Sequence, residues 1–158
     1  MPLIYITGIS GAGKSAVRTE LLRRGFEAYG TDEDGIARWV DKVTGTITRR
    51  ADAPDRTEAF TAQNDWKVEP DRVRALADHA KSDPVFLCGS VANEVEVWDL
   101  FTTVIHLSID QATMRHRVAS RTTNDFGKSP HELALMLGWH QTIDEDYARC
   151  GAINIDAT

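Results

Sequence analysis

Only two cysteines, Cys88 and Cys150, occur in the 158 residues. Two are too few for a disulfide framework, and Cys88 sits inside an apolar run, so reduced structural thiols in a cytoplasmic protein are expected. No apolar run approaches the ~18 residues that a membrane span needs. No basic region followed by a long apolar segment opens the chain, so a signal peptide is not expected either. Positive charge is in short supply: 18 Lys and Arg stand against 24 Asp and Glu, a formal net charge of -6. That balance argues against a nucleic-acid partner. No Cys/His/Asp cluster with metal-ligand spacing accompanies His106, which reads as an accommodated core or strand-edge histidine. Internal repeats, low-complexity tracts and linkers are missing too. What is left, with 42% hydrophobic and 27% charged residues, has the size and composition of one globular domain with one substantial core.

One stretch stands out from that background. Leu3-Ile4-Tyr5-Ile6 reads as a buried strand, and Gly8-Ile9-Ser10-Gly11-Ala12-Gly13-Lys14-Ser15 follows it after Thr7. Ala16 to Leu22 then shows helical apolar spacing. The pattern is G-x-x-x-x-G-K-[ST] between a strand and a helix, the context that gives a P-loop its meaning. Glycines let the backbone turn tightly and bring N–H groups close to phosphate oxygens, at a helix N-terminus where orphan donors and the dipole favour an anion. Gly8, Ser10, Gly11, Ala12, Gly13, Lys14, Ser15 and Ala16 are the expected nucleotide-binding residues. Lys14 would reach the β- and γ-phosphates, and the Ser15 hydroxyl would take a position on Mg²⁺. The competing reading is a Gly-rich turn that only joins strand to helix. With Gly at ~7% of residues the full pattern arises by chance in under ~1% of chains of this length.

Farther along, Gly25 caps the first helix and Phe26 to Tyr29 reads as a short strand ending at Thr31-Asp32-Glu33-Asp34. The acids suit a helix N-terminus; they equally suit a metal or acceptor site, because strand ends of open α/β sheets face the ligand crevice. Ile36 to Val40 continues as a helical stretch. Residues 49–63 are polar, with Asp52-Ala53-Pro54-Asp55 as a turn and Arg49, Arg50 and Arg56 among them, so 35–66 is expected to form a substrate cap. A helix begins near Pro70 with Val73, Leu76, Ala77 and Ala80 on one face. Val85 to Cys88 is a buried strand closed by Gly89-Ser90, where the glycine serves a close ligand approach or merely a tight turn. Asn93 to Leu100 reads as a short helix and Thr103 to Leu107 as a third buried strand. A helix from Asp110 to about Arg121 carries Arg115, Arg117 and Arg121, and 117–130 is expected to act as a lid. His131 to Tyr147 is one long helix and Gly151 to Thr158 a final strand. The order β-α-β-α-α-β-α-β-α-β predicts one α/β domain with a parallel sheet.

The P-loop at the N-terminus, the acids after the second strand and the arginine-bearing helix before a Gly-containing loop together resemble the small P-loop kinases: the nucleoside monophosphate, shikimate and gluconate kinase group. The resemblance implies the three-layer fold of P-loop nucleoside triphosphate hydrolases over residues 1–158, with five parallel strands in the order 2-3-1-4-5. It also implies ATP, Mg²⁺ and phosphoryl transfer to a small acceptor. Asp32-Glu33-Asp34 resembles the D-x-D of shikimate kinases; of Cys88-Gly89-Ser90 only Gly89 matches their three glycines. Arg117 and Arg121 resemble the lid arginines, with the inner place open between Arg115 and Arg117. No Asp follows Val85-Phe86-Leu87, so Asp32 is left as the Mg²⁺ partner beside Ser15, and the final helix usual in the group is absent. Lys14, Asp32, Arg117 and Arg121 are thus the expected catalytic residues, and Asp34, Arg38, Arg50 and Gly89 the expected acceptor contacts. A nucleoside or nucleotide acceptor would stack on Trp39 or Trp66. A carboxylated metabolite would use Arg38, Arg49, Arg50 or Arg56 as a clamp. Besides the small-molecule acceptor, no nucleic acid or membrane partner is expected, and the chain would be a monomer or homodimer. A hydrolysing NTPase and a non-catalytic nucleotide-binding module stand as alternatives.

Overall fold

A computed structural model describes residues 2–50 and 58–158. The expected turn at Asp52-Ala53-Pro54-Asp55 and Arg56 lie outside the described residues.

Three short apolar runs, β1 (Leu3–Thr7), β6 (Val85–Cys88) and β7 (Thr103–Ser108), form the inner strands of the central sheet, flanked by the more polar β2 (Glu27–Gly30) and the exposed β8 (Ile153–Asp156). They lie side by side as β2-β6-β1-β7-β8, and every pairing is parallel. Counted among themselves the order is 2-3-1-4-5. A parallel sheet needs both faces covered, and side-chain alternation divides the strands accordingly. Leu3, Tyr5, Val85, Leu87 and Val104 point to one face, where α3 (Pro70–His79) adds the fully buried Val73. Ile6, Cys88 and Leu107 point to the other, against Met114 and Val118 of α5 (Gln111–Ser120) and Met136 of α6 (Pro130–His140). The helix α1 (Lys14–Arg23) packs there as well, through Val17 and Leu21. The C-terminal ends of the strands are left to carry the chemistry.

Three expectations are corrected. The stretch read as helical around 36–40 is a strand, β3 (Ala37–Asp41), and Asn64–Val68 forms β5; with β4 (Ile47–Thr48) they make a second, antiparallel sheet ordered β4-β3-β5. Local chemistry explains it. Asp41 accepts the N–H groups of Val43 and Thr44, an Asx turn that reverses the chain. The flat aromatic surface of Trp39 is placed directly across from Trp66 in the ladder, where aromatic pairs favour strands. The helix α2 (Glu58–Gln63) precedes β5. The long helix expected over 131–147 breaks at Gln141-Thr142 into α6 and α7 (Ile143–Arg149), next to the poor helix formers Gly138 and Thr142. Between β6 and β7 the helix shrinks to α4 (Glu94–Val97) and a 3₁₀ turn over Trp98–Leu100.

Candidate nucleotide and acceptor site

The loop after β1 turns where Ala12 N–H donates to the Ile9 carbonyl, 3.0 Å. Gly13 is the N-cap of α1, with φ at 98°, a conformation an L side chain would strain. From there α1 begins at once, so the N–H groups of Lys14, Ser15 and Ala16 fall in the first turn, which has no intrahelical acceptor for them. The loop backbone and the helix dipole thus favour an anion at one point. Lys14 folds over the loop: its ammonium donates to the Gly8 carbonyl at 2.6 Å and the Ile9 carbonyl at 3.0 Å. Burial lowers its pKa to about 8, against the pull of Asp32 in the other direction.

A cavity of about 790 Å³ lies before this loop, within the range of small-molecule sites. Of the expected site residues it brings together Ser10, Lys14, Ser15, Asp32, Arg50 and Gly89. The acids sort themselves by bonding. Ser15 Oγ donates to Glu33 Oε1 at 2.6 Å, whereas Asp32 accepts the Thr31 hydroxyl at 2.8 Å. The carboxylate beside the Ser15 hydroxyl is therefore that of Glu33, with Asp32 close by in the field of Lys14 and Arg121. Asp34 is turned away: its Oδ2 accepts Gly30 N–H at 2.7 Å and pairs with Arg18 at 3.0 Å. It holds the turn after β2 and does not line the cavity. Arg38 faces outward toward Glu69, 3.5 Å away.

The arginines expected to serve a lid are likewise split by geometry. Arg115 is exposed, and Arg117 takes the inner place, donating to the Gly11 carbonyl at 3.3 Å and the Ala157 carbonyl at 3.0 Å. It braces the phosphate loop from below instead of lining the cavity. Arg121 donates to the carbonyls of Asn124 and Phe126, so it shapes the loop between α5 and α6. That loop brings Asn124 and Phe126 to the cavity. Arg50 points into the same region but is spent: its guanidinium forks onto Glu132 (3.1, 3.0 and 2.8 Å) and reaches Asp125 at 2.7 Å. It ties the antiparallel sheet to the loop before α6. Gly89 lines the cavity, yet the space its missing side chain frees belongs to Thr31, whose Oγ1 would lie 2.0 Å from an added Cβ. That glycine is required by the close approach of two strand ends.

Sequence reasoning missed one cluster. Glu94, at the start of α4, accepts the Tyr5 hydroxyl at 2.8 Å, the Thr7 hydroxyl at 3.1 Å and the Tyr147 hydroxyl at 2.6 Å. Burial, with Glu94 beside them, raises the pKa of both tyrosines. Tyr147 stacks on the buried His106, ring centroids 4.4 Å apart, and lines the cavity. Burial lowers the His106 pKa, which favours the neutral ring in its place as a core aromatic. The network joins residues 140 positions apart; no local pattern announces it.

No group of three His, Cys, Asp or Glu among the described residues could hold a metal by itself. Hard oxygen donors do gather, however: the Ser15 hydroxyl and the Glu33 and Asp32 carboxylates at one end of the cavity. That set fits Mg²⁺, which is held through one or two carboxylates together with phosphate oxygens.

With this geometry in view, the comparisons are decisive on family. The sequence matches the AAA domain family over residues 4–156. The chain belongs to that family. Solved structures share its fold, two shikimate kinases among them. The shikimate kinase of Aquifex aeolicus is 19% identical with a TM-score of 0.56, the alignment covering 98% of this AAA domain chain and 85% of the other. The shikimate kinase of Acinetobacter baumannii in complex with shikimate is 18% identical with a TM-score of 0.59, covering 99% and 83%. No curated protein matches the sequence. Among the described residues no helix is long and apolar enough to cross a membrane.

Proposed function

We propose that this AAA domain protein transfers the γ-phosphoryl group of ATP to the hydroxyl of a small acceptor held in the cavity. The observation that supports this reading is that Lys14 and Ser15 line the same cavity as Asp32, Glu33, Trp39 and Trp66. The phosphate end and a roomy, partly apolar end are continuous, so an acceptor has a place beside the transferring group. The phosphate loop amides and Lys14 bind the triphosphate and stabilise charge on the phosphoryl group as it moves. Mg²⁺, held by Ser15 with Glu33 or Asp32, neutralises phosphate charge when bound. The acceptor oxygen bonds the γ-phosphorus as the bond to the β,γ-bridging oxygen breaks; ADP leaves, and Asp32 takes the hydroxyl proton. Arg117 and Arg121 act by bracing the loop and shaping the lid.

Hydrolysis in place of transfer would call for a carboxylate free to activate water beyond β6. The candidate there, Glu94, has both oxygens engaged by hydroxyl groups and does not line the cavity. The test is incubation of the protein with Mg-ATP and pools of nucleosides, nucleoside monophosphates, shikimate, gluconate and aminoglycosides, with products read by mass spectrometry. Phosphorylated acceptor is expected, and its formation should vanish in Lys14→Ala with the circular dichroism spectrum unchanged. ATP hydrolysis without any phosphorylated product would overturn the reading.

A further inference from the structure

The walls of the cavity away from Lys14 are aromatic, and its charges are matched. Trp39 and Trp66 stand 5.3 Å apart between ring centroids, and Phe126 and Trp139 line the same cavity beside aliphatic residues such as Leu135 and Ile143. Trp66 also packs against the core cluster of β1 and α3, which fixes its ring. Three cations line the cavity among the described residues: Lys14, Lys42 and Arg50. Lys42 stands 3.7 Å from Asp65, itself a lining residue. Arg50 is doubly engaged by Asp125 and by Glu132, which is only 1% exposed. Lys14 lies on the phosphate loop and belongs to the triphosphate. Four carboxylates, Asp32, Glu33, Asp65 and Asp146, line the same space. A carboxylate or phosphate on the acceptor would therefore meet repulsion and, among the described residues, no unpaired cation besides Lys14, and it could recruit Arg50 only by stripping a buried partner. A flat uncharged ring, by contrast, finds aromatic faces to stack on.

We propose that the acceptor is an uncharged hydroxyl compound with a planar ring system, nucleoside-like in its chemistry, stacked against the Trp39–Trp66 pair with its hydroxyl toward Lys14. Sugar acids and nucleoside monophosphates are the classes this cavity disfavours. The word acceptor rests on the phosphoryl-transfer reading above; the stacking site itself does not.

The experiment is calorimetric titration of the protein saturated with Mg²⁺ and the β,γ-imido analogue of ATP, so that the phosphate loop is already filled. The titrants are adenosine, uridine, AMP, shikimate and gluconate. Adenosine or uridine is expected to bind at least about tenfold more tightly than AMP or either sugar acid. Trp39→Ala should lose about tenfold of that affinity, the value of one base–aromatic stack. Trp139→Ala, at a position that is half exposed, should weaken it too without touching the fold. Equal or tighter binding of AMP, shikimate or gluconate would overturn the proposal. So would absent nucleoside binding on a protein that takes up the ATP analogue normally. If the nucleosides bind and lose affinity in the tryptophan variants, yet no phosphate moves from Mg-ATP, the transfer reading fails and the stacking site stands.

Discussion

Arg50 offers the sharpest test of how the segment after β4 is tied to α6 and the loop before it. Its guanidinium makes three hydrogen bonds to Glu132 and one to Asp125, and it lies 5.7 Å over the Phe126 ring. Glu132 is 1% exposed and also accepts Gly127 N–H at 3.2 Å. In Arg50→Ala that buried carboxylate keeps one neutral donor and loses its counter-charge, a loss that typically costs about 3–5 kcal/mol. The Asp125 contribution is small, since that side chain is 54% exposed and such pairs are worth roughly 0–1 kcal/mol. Because Arg50 itself keeps 16% exposure, the lower end applies: about 3 kcal/mol, or roughly 6–12 °C in Tm for a chain of this size. Urea unfolding followed by circular dichroism measures the first and calorimetry the second. Asp125→Asn should cost under about 1 kcal/mol, and the pair Arg50→Met with Glu132→Leu should recover much of the single-mutant loss because no charge is left stranded. An Arg50→Ala cost below about 1 kcal/mol, or an Asp125→Asn cost equal to it, would refute the reading of Glu132 as a buried charge that depends on Arg50.

Two further outcomes follow from titrating groups. Burial holds Lys14 at about 8, and a bound triphosphate favours its charged form, so ATP affinity should be level below pH 7 and fall by up to about tenfold per unit above pH 8, as binding must then take up a proton; calorimetry in buffers of different ionisation enthalpy reads that proton, and a flat affinity from pH 7 to 9.5 would contradict it. The two thiols should behave differently: Cys150 is exposed, whereas Cys88 is buried with its pKa pushed up to about 12 by desolvation, so a disulfide reagent at pH 8 should titrate one thiol in the native protein and two in urea, and fast reaction of both in the folded state would show that the end of β6 is open.

The inner strands of the central sheet, β1, β6 and β7, were legible because each is a short apolar run bounded by turn residues. The antiparallel sheet was not: Ala37-Arg38-Trp39-Val40-Asp41 suits either state by spacing, and what decides it is a ladder with residues 64–68 together with the Asx turn at Asp41. In the site, residues placed by the local backbone were readable in position, Lys14 and Ser15 above all, which both line the cavity. Residues whose role depends on a distant partner were not. Asp34 and Arg38 look like ligands in isolation, but Arg18 and Glu69 claim them.

Glu94 shows the same limit from the other side. The strand end at Cys88 carries no acid, and sequence spacing assigns Glu94 to an ordinary helix N-terminus. Folding brings it under the phosphate loop, where it gathers the hydroxyl groups of Thr7 at the end of β1 and Tyr147 on α7. Thr7 immediately precedes Gly8, and Tyr147 lines the cavity. One carboxylate thus joins the strand that leads into the phosphate loop to a wall of the cavity. Its oxygens accept from neutral hydroxyl donors, and its field also reaches Lys14. An acid in this place acts by holding Thr7 and Tyr147 together, and not by lining the cavity.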